Sequence, residues 1–274
     1  VTGRFSYSNP NLQQIPARHA ILGPLIRSIF IPEKGCEWGI FDYSQQEPRI
    51  VVHYASMKNF TGADKFVDAY RDDETTDFHK MVSEIADIPR KKAKTINLGL
   101  FYGMGKGKLM SQLGINLEDA TEMLANYNER VPFVKQLMND TMNKAGKKGY
   151  LSTIEGRRCR FELYEPTNEW GQKALPFKEA KDEYGEHMIK RAWTYKALNR
   201  LIQGSAADQT KKAMLELSKE GYLSHIQVHD ELDFSVATEK DKSKIKEIME
   251  HAVKLEVPSK VDVECGDSWG DAGD

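Results

Sequence analysis

The chain has 274 residues, 40% of them hydrophobic, and a formal net charge of −2. That length and apolar content can bury a substantial core, and the near-neutral charge excludes a uniformly basic coat, so any nucleic-acid contact must come from local cations. No apolar run approaches membrane-spanning length and there is no signal peptide, while Cys36, Cys159 and Cys265 lack metal-ligand spacing and read as reduced thiols of a cytosolic protein.

In chain order, residues 1–60 predict an extended entry, a strand at about 37–42 and a helix from about 45. Ile40 and Phe41 lead into Asp42, so this strand ends on a carboxylate that is costly to desolvate unless a cation meets it. Residues 61–148 predict mostly helix, with Asn116 as an N-cap and Pro132 opening the helix that follows. Within them, Arg90 to Gly103 predicts one helix, entered after Pro89 and ended by Gly103. Arg90, Lys94, Leu98 and Tyr102 recur every fourth residue and form one row of two cations, an apolar side chain and an aromatic. Such a row suits a nucleoside triphosphate, with cations toward the phosphates and the apolar end toward base and sugar. A solvated basic face above a core residue is the other reading. Further cations cluster at Lys106, Lys108, Lys147-Lys148, Arg157-Arg158 and Arg160.

Residues 149–163 predict a strand pair turned at Glu155-Gly156, and 183–219 predict helices with Gly204 near a junction. Residues 222–236 predict a half-buried hairpin with His229-Asp230-Glu231 at its turn, because Ile226, Val228, Leu232, Phe234 and Val236 alternate with polar residues. A helix at about 239–253, capped by Thr238, and a last strand at 261–265 complete the pattern. Asp230, like Asp42, ends an apolar run. Two carboxylates converging from distant parts of a chain suit a pair of Mg²⁺ ions, with substrate phosphate filling the remaining positions. The alternative is a helix cap at Asp42 and a plain turn residue at Asp230.

Four ordered segments carry a resemblance. Thr2-Gly3-Arg4 with Ser8 to Arg18 resembles the primer-template contact segment of family A (DNA polymerase I-like) DNA polymerases. Asp42-Tyr43-Ser44-Gln45-Gln46-Glu47-Pro48-Arg49 resembles that family's motif A, Arg90 to Gly103 its motif B, and Gln227 to Leu232 its motif C. Gln203 to Asp208 resembles a further family helix, with Asn199 one turn before Gln203. One His-Asp-Glu tripeptide would be weak evidence; four motifs in family order over Thr2 to Trp269 are strong.

The resemblance implies roles. Asp42 and Asp230 would bind two Mg²⁺ ions together with the Tyr43 backbone carbonyl, and Glu231 would be a nearby secondary carboxylate. Arg90, Lys94 and His79 would contact the triphosphate, and Lys94 could protonate the leaving pyrophosphate. Leu98, Tyr102 and Gln45 would complete the deoxynucleoside triphosphate site, with Glu47 as the gate that excludes a 2′-hydroxyl. Arg4, Arg18, Asn199, Gln203 and His229 would contact primer-template DNA, several of them in the minor groove, whose acceptors are nearly common to all base pairs.

Some positions depart from the family pattern. Gln46 and Pro48 replace aliphatic residues around the gate glutamate, and Pro48 either bends the segment or occupies a helix's first turn. Leu98 stands where Phe or Tyr is usual, and Tyr195 where many relatives have a cation. Residues 164–187, after the hairpin signature Gly156-Arg157-Arg158, are longer than in compact bacterial relatives, and the departures as a set resemble phage-type branches more than housekeeping enzymes.

The implied fold is α+β, a right-hand palm with an antiparallel sheet and a helical fingers insertion. Residues 1–60 would be the first part of the palm, 61–185 the fingers and 186–274 the second part of the palm. A thumb would be absent, the chain being a C-terminal fragment, since Val1 is no initiator methionine and relatives place a thumb, often with an exonuclease, earlier. The implied activity is template-directed DNA synthesis in replication, in a cytoplasm (a host's, if phage-encoded), with replisome partners open. Two alternatives stand beside it. A metal-dependent phosphohydrolase using His79, His229 and Asp230 would need further histidines at matching spacing, which His19, His53, His187, His225 and His251 do not show. A non-catalytic nucleic-acid-binding module would have no need of both aspartates, Glu47 and Lys94.

Overall fold

The computed structural model describes residues 2–16, 19–168 and 171–272. In chain order its elements are α1 (Leu22–Arg27), β1 (Glu37–Tyr43), α2 (Gln46–Ser56), α3 (Ala63–Asp72), α4 (Phe78–Ala86), α5 (Arg90–Phe101), α6 (Lys106–Leu113), α7 (Leu117–Arg130) and α8 (Pro132–Lys148). The short strands β2 (Tyr150–Ser152), β3 (Arg158–Arg160), β4 (Leu163–Pro166) and β5 (Leu175–Pro176) follow, then α9 (Phe177–Tyr184) and β6 (Ile189–Arg191). The chain ends with α10 (Ala197–Lys219), β7 (Ile226–Val228), β8 (Glu231–Val236), α11 (Glu239–His251), β9 (Val261–Gly266) and α12 (Trp269–Ala272). It forms two compact units, one of residues 1–2, 51–69 and 76–205, the other of residues 3–50, 70–75 and 206–274. Among the described residues no helix is long and apolar enough to cross a membrane.

The second unit is built on an antiparallel sheet in the order β7-β8-β1-β9. β1 lies inside this sheet, and its sequence Trp-Gly-Ile-Phe is buried on both faces, which is why it reads as a continuous apolar run. Phe41 and Tyr43 point to one face, against Ala213 and Leu217 of α10, Ile245 and Met249 of α11, and Leu232 and Phe234 of β8. Trp38 and Ile40 point to the other, against Ile226 and Trp269. Each large side chain so buried contributes about 1.5–3 kcal/mol, and the two layers hold the end of β1 rigidly.

In the first unit, α5 buries Ala93, Ile96, Asn97 and Phe101, a spacing of three and four that lays one stripe on the core. Phe101 joins Phe78, which packs with Phe66 and Phe133 at ring separations of 5.2 and 6.4 Å. A β2–β3 hairpin and a three-stranded sheet, β5-β4-β6, complete this unit.

Several boundaries differ from the sequence expectation. α5 ends at Phe101, with Tyr102 as its C-cap, rather than running to Gly103. Gly103 instead has φ +70°, and a Cβ there would sit 2.6 Å from the Tyr195 carbonyl, so only glycine fits. Gly204 marks no junction: it lies inside the unbroken α10, where a Cβ would come within 2.8 Å of Thr153 on the β2–β3 hairpin. Residues 183–196 are not helical throughout, because β6 pairs with β4 there. The first strand of the motif C hairpin starts at Ile226, and its turn is His229-Asp230, with Glu231 already in β8. Pro48 is the third residue of α2, in the first turn, where a missing N–H costs nothing.

Candidate active site

The end of β1 and the β7–β8 turn come together. Asp42 pairs across the sheet with Glu231, and the Tyr43 N–H donates to the Asp230 carbonyl at 3.3 Å. Asp42, Asp230 and Glu231 are all half-buried. His229 takes φ +57°, a left-handed conformation that a non-glycine residue holds only under constraint. That constraint includes Gln227, whose Nε2 donates to the His229 carbonyl at 2.7 Å.

Like charges directly opposed on neighbouring strands are unfavourable. Burial raises the Asp42 pKa to about 8, and the carboxylates of Asp230, Glu231 and Glu264 add to it. Burial raises Asp230 too, against the opposing pull of its own N–H, Arg4 and His229. Glu231 is raised by burial, while Arg27 and the Trp269 indole N–H, which donates to its Oε1 at 3.3 Å, act the other way. No salt bridge reaches Asp42 or Asp230 among the described residues. This pair of oxygen donors outside any salt bridge suits a hard divalent cation, which commonly takes only one or two carboxylates from a protein. Among the described residues no three or more His, Cys, Asp or Glu side chains converge as a ligand set, so a cation held here would need water or substrate for its other positions.

Asp233, two residues beyond Glu231 on the same face, was missed as a site residue because its place in the alternation reads as solvent-facing. It is fully buried, with its pKa pushed to about 9 by burial and then by Glu231. Arg27, stacked 4.4 Å above the Trp269 ring, is the cation on this side of the sheet that opposes the shift. A carboxyl group with a raised folded pKa stabilises the fold below its unfolded pKa, and that contribution is lost as pH rises through the folded value. Asp233→Asn therefore raises the melting temperature at pH 9 by roughly 2–5 °C and leaves it little changed at pH 5. Equal shifts at both pH values in differential scanning calorimetry would refute a buried, protonated Asp233.

Motif A continues through Gln45, at φ +52°, into α2. The Gln46 side chain is buried and donates to the Ala206 carbonyl and Thr210, which explains a polar residue where an aliphatic one is usual. Glu47 accepts from Arg4 at 2.8 Å. Arg49 is 2% exposed. It donates to the carbonyls of Ser44, Pro258 and Glu74 at 2.9, 2.6 and 2.5 Å, and lies 4.4 Å over the Tyr70 ring. Arg49 was not singled out from sequence, since nothing local shows that its partners come from three loops.

The first unit holds the other predicted residues. Arg90 and Lys94 are exposed along α5, Leu98 is half-buried and Tyr102 is 43% exposed. Arg90 forks onto one oxygen of Asp77 at 2.8 and 2.5 Å, while the other caps α4 by accepting from His79 N and Lys80 N. Burial works against the Asp77 carboxylate, but Arg90 and these N–H groups outweigh it and its pKa is lowered. His79 is 7% exposed, and its pKa falls to about 4, from burial first and then from Lys94 and Arg90, against the pull of Asp77. Expected as a phosphate contact, it is a neutral ring and not a cation. Asn97, whose Oδ1 accepts from Tyr127 at 2.5 Å, presents its Nδ2 to His79 Nδ1 at 2.9 Å, which leaves the ring proton on Nε2. Asn199 and Gln203 are half-buried on α10. Arg18 lies outside the described residues.

Compared with known proteins, residues 1–271 match the profile described as DNA polymerase family A. The chain is 39% identical over 309 residues to a DNA-directed DNA polymerase of Pseudomonas phage M6, across 98% of this chain and 43% of the relative. It is 35% identical over 283 residues to DNA polymerase I of Bacillus subtilis (strain 168), across 99% of this chain and 30% of the relative. The POL domain of Pol1 from M. smegmatis, solved in complex with DNA primer-template and dNTP, superposes with a TM-score of 0.80 at 32% identity, over 100% of this chain and 47% of that one. The chain spans less than half the length of each of these proteins. An α+β fold shared end to end, with the ordered motifs and a profile match over nearly every residue, leaves one conclusion: the chain belongs to DNA polymerase family A.

Proposed function

We propose that the protein is a template-directed DNA polymerase that joins deoxynucleotides to a primer 3′-hydroxyl and releases pyrophosphate. The observation that carries this reading is the Asp42–Asp230 pair: two half-buried carboxylates at a strand end and a hairpin turn, neither of them in a salt bridge among the described residues. Asp42, Asp230 and the Tyr43 carbonyl would hold two Mg²⁺ ions. Bound there, the ions lower the pKa of the primer hydroxyl and neutralise charge on the transferring phosphoryl group.

The chain's own groups take the remaining tasks. Arg90, fixed by Asp77, and Lys94 meet the triphosphate as cations, and Lys94 gives a proton to the leaving pyrophosphate. His79 serves as a neutral Nε2–H donor to a phosphate oxygen, not as a positive charge. Leu98 and Tyr102 offer apolar surface to sugar and base, with Gln45 at the edge of the nucleotide site. Glu47 excludes the 2′-hydroxyl, and Glu231 supports the aspartates from across the sheet. Arg4, Asn199, Gln203 and His229, with Arg18, hold primer-template DNA.

The test is extension of a labelled primer on a DNA template by one nucleotide. Extension with Mg²⁺ and the complementary deoxynucleotide, none with chelator, and none with the wrong base support the reading. Template-independent hydrolysis of the nucleotide instead would replace it with a phosphohydrolase. A second expectation concerns Leu98, which has neither ring nor hydroxyl to meet the sugar. Leu98→Tyr raises use of dideoxynucleotides relative to deoxynucleotides roughly tenfold or more. Equal selectivity in single-turnover incorporation would show that Leu98 does not face the incoming sugar.

A further inference from the structure

Glu47 is the second residue of α2, and its side chain is 12% exposed. Arg4 reaches it from the extended entry segment, 43 residues earlier, through one terminal nitrogen at 2.8 Å. The Arg4 side chain is 33% exposed and makes no other hydrogen bond among the described residues. Its charge is also felt at Asp230, where it favours the ionised carboxylate. Arg4 is therefore paired with Glu47 and lies near enough to Asp230 for its charge to act there.

We infer that Arg4 is a positioning residue for Glu47, and that discrimination between deoxyribose and ribose depends on this ion pair. The inference rests on the polymerase reading, and the physical reason is precision. Ribose differs from deoxyribose by one oxygen, so a wall that rejects it must be held to within about half an ångström. A glutamate has three side-chain torsions, and at the start of a helix nothing intrinsic selects one rotamer. A charge-assisted hydrogen bond does select one. Arginine suits the task because one N–H can hold Glu47 while the rest of the planar fork remains for an acceptor on sugar or base, which a lysine's single ammonium would do less well.

The experiment compares ribonucleotide with deoxynucleotide incorporation in single turnovers on the same saturating primer-template, so that any change in primer affinity cancels from the ratio. Glu47→Ala should lower the preference for deoxynucleotides strongly. Arg4→Ala should lower it roughly tenfold, and Arg4→Lys should retain part of it. In the Glu47→Ala background, Arg4→Ala should change the ratio little further, because the group it positions is gone. Unchanged selectivity in Arg4→Ala, or losses that simply add in the double variant, would overturn the proposal while leaving the polymerase reading intact. A wild-type protein that adds no nucleotide under these conditions would overturn that reading and this inference with it. The Arg4–Glu47 pair is partly exposed, so neither substitution threatens the fold, and retention of a cooperative thermal transition confirms it.

Discussion

Asp42→Ala and Asp230→Ala each remove nearly all primer extension, by about a thousandfold or more. Losing one oxygen ligand from a two-metal site forfeits several kcal/mol of charge stabilisation in phosphoryl transfer, and each ~1.4 kcal/mol is a factor of ten in rate. The structure adds a control that separates chemistry from folding. Asp42 faces Glu231 directly across the sheet and is raised to about 8 by burial and by its acidic neighbours. Its ionised form therefore costs stability in the metal-free protein, and the sign follows from the raised value: the cost grows as pH rises from the ordinary carboxylate range through about 8. Asp42→Ala should melt no lower than wild type at pH 8 without Mg²⁺, and added Mg²⁺ should raise the wild-type melting temperature but not that of the variant. Single-turnover extension and calorimetry on the same preparations decide the matter. More than about a tenth of the wild-type rate in either variant would remove that aspartate from the metal site.

Arg49→Met is expected to be the most destabilising single change in the second unit. The guanidinium is buried and bonded to three backbone carbonyls, those of Ser44 at the end of motif A, Glu74 and Pro258. Methionine fills the volume over Tyr70 but offers no donor, so three carbonyls lose their partner at once. Breaking a buried charged network of this kind costs about 3–5 kcal/mol, which lowers the melting temperature by roughly 5–10 °C for a chain of this size. Activity should fall as well, because Ser44 follows the Asp42 strand directly. A fall of less than about 3 °C would mean that water replaces the lost donors and that Arg49 is dispensable as a clamp.

Short-range features were legible in the sequence because their causes lie within a turn or two of chain. The side chains of Asn116 and Thr238 cap α7 and α11 by accepting from Asp119 N and Asp241 N, as their residue types imply. The apolar run into Asp42 gave a strand, and the fourfold row from Arg90 gave a helix. The family was legible too, because its motifs are strings of a few residues whose order survives without a structure.

Long-range pairing was not legible, because it depends on which strand lies beside which. Asp42 meets Glu231 only because β1 is inserted between β8 and β9, strands that come near the end of the chain. Asp233 reads as an outward-facing residue in an alternating strand, yet it is buried between Ile226 and Ile40 of the neighbouring strands, and burial, with Glu231 beside it, turns an ordinary acid into one that keeps its proton. The same holds for Arg4 against Glu47, for Arg49 against its distant carbonyls and for the neutral ring of His79. Sequence determined which chemical groups this protein owns and the local elements that carry them. Tertiary structure decided which groups touch, how far each is desolvated and so which of them are charged, since Coulombic and desolvation energies depend on distance and burial, not on order along the chain.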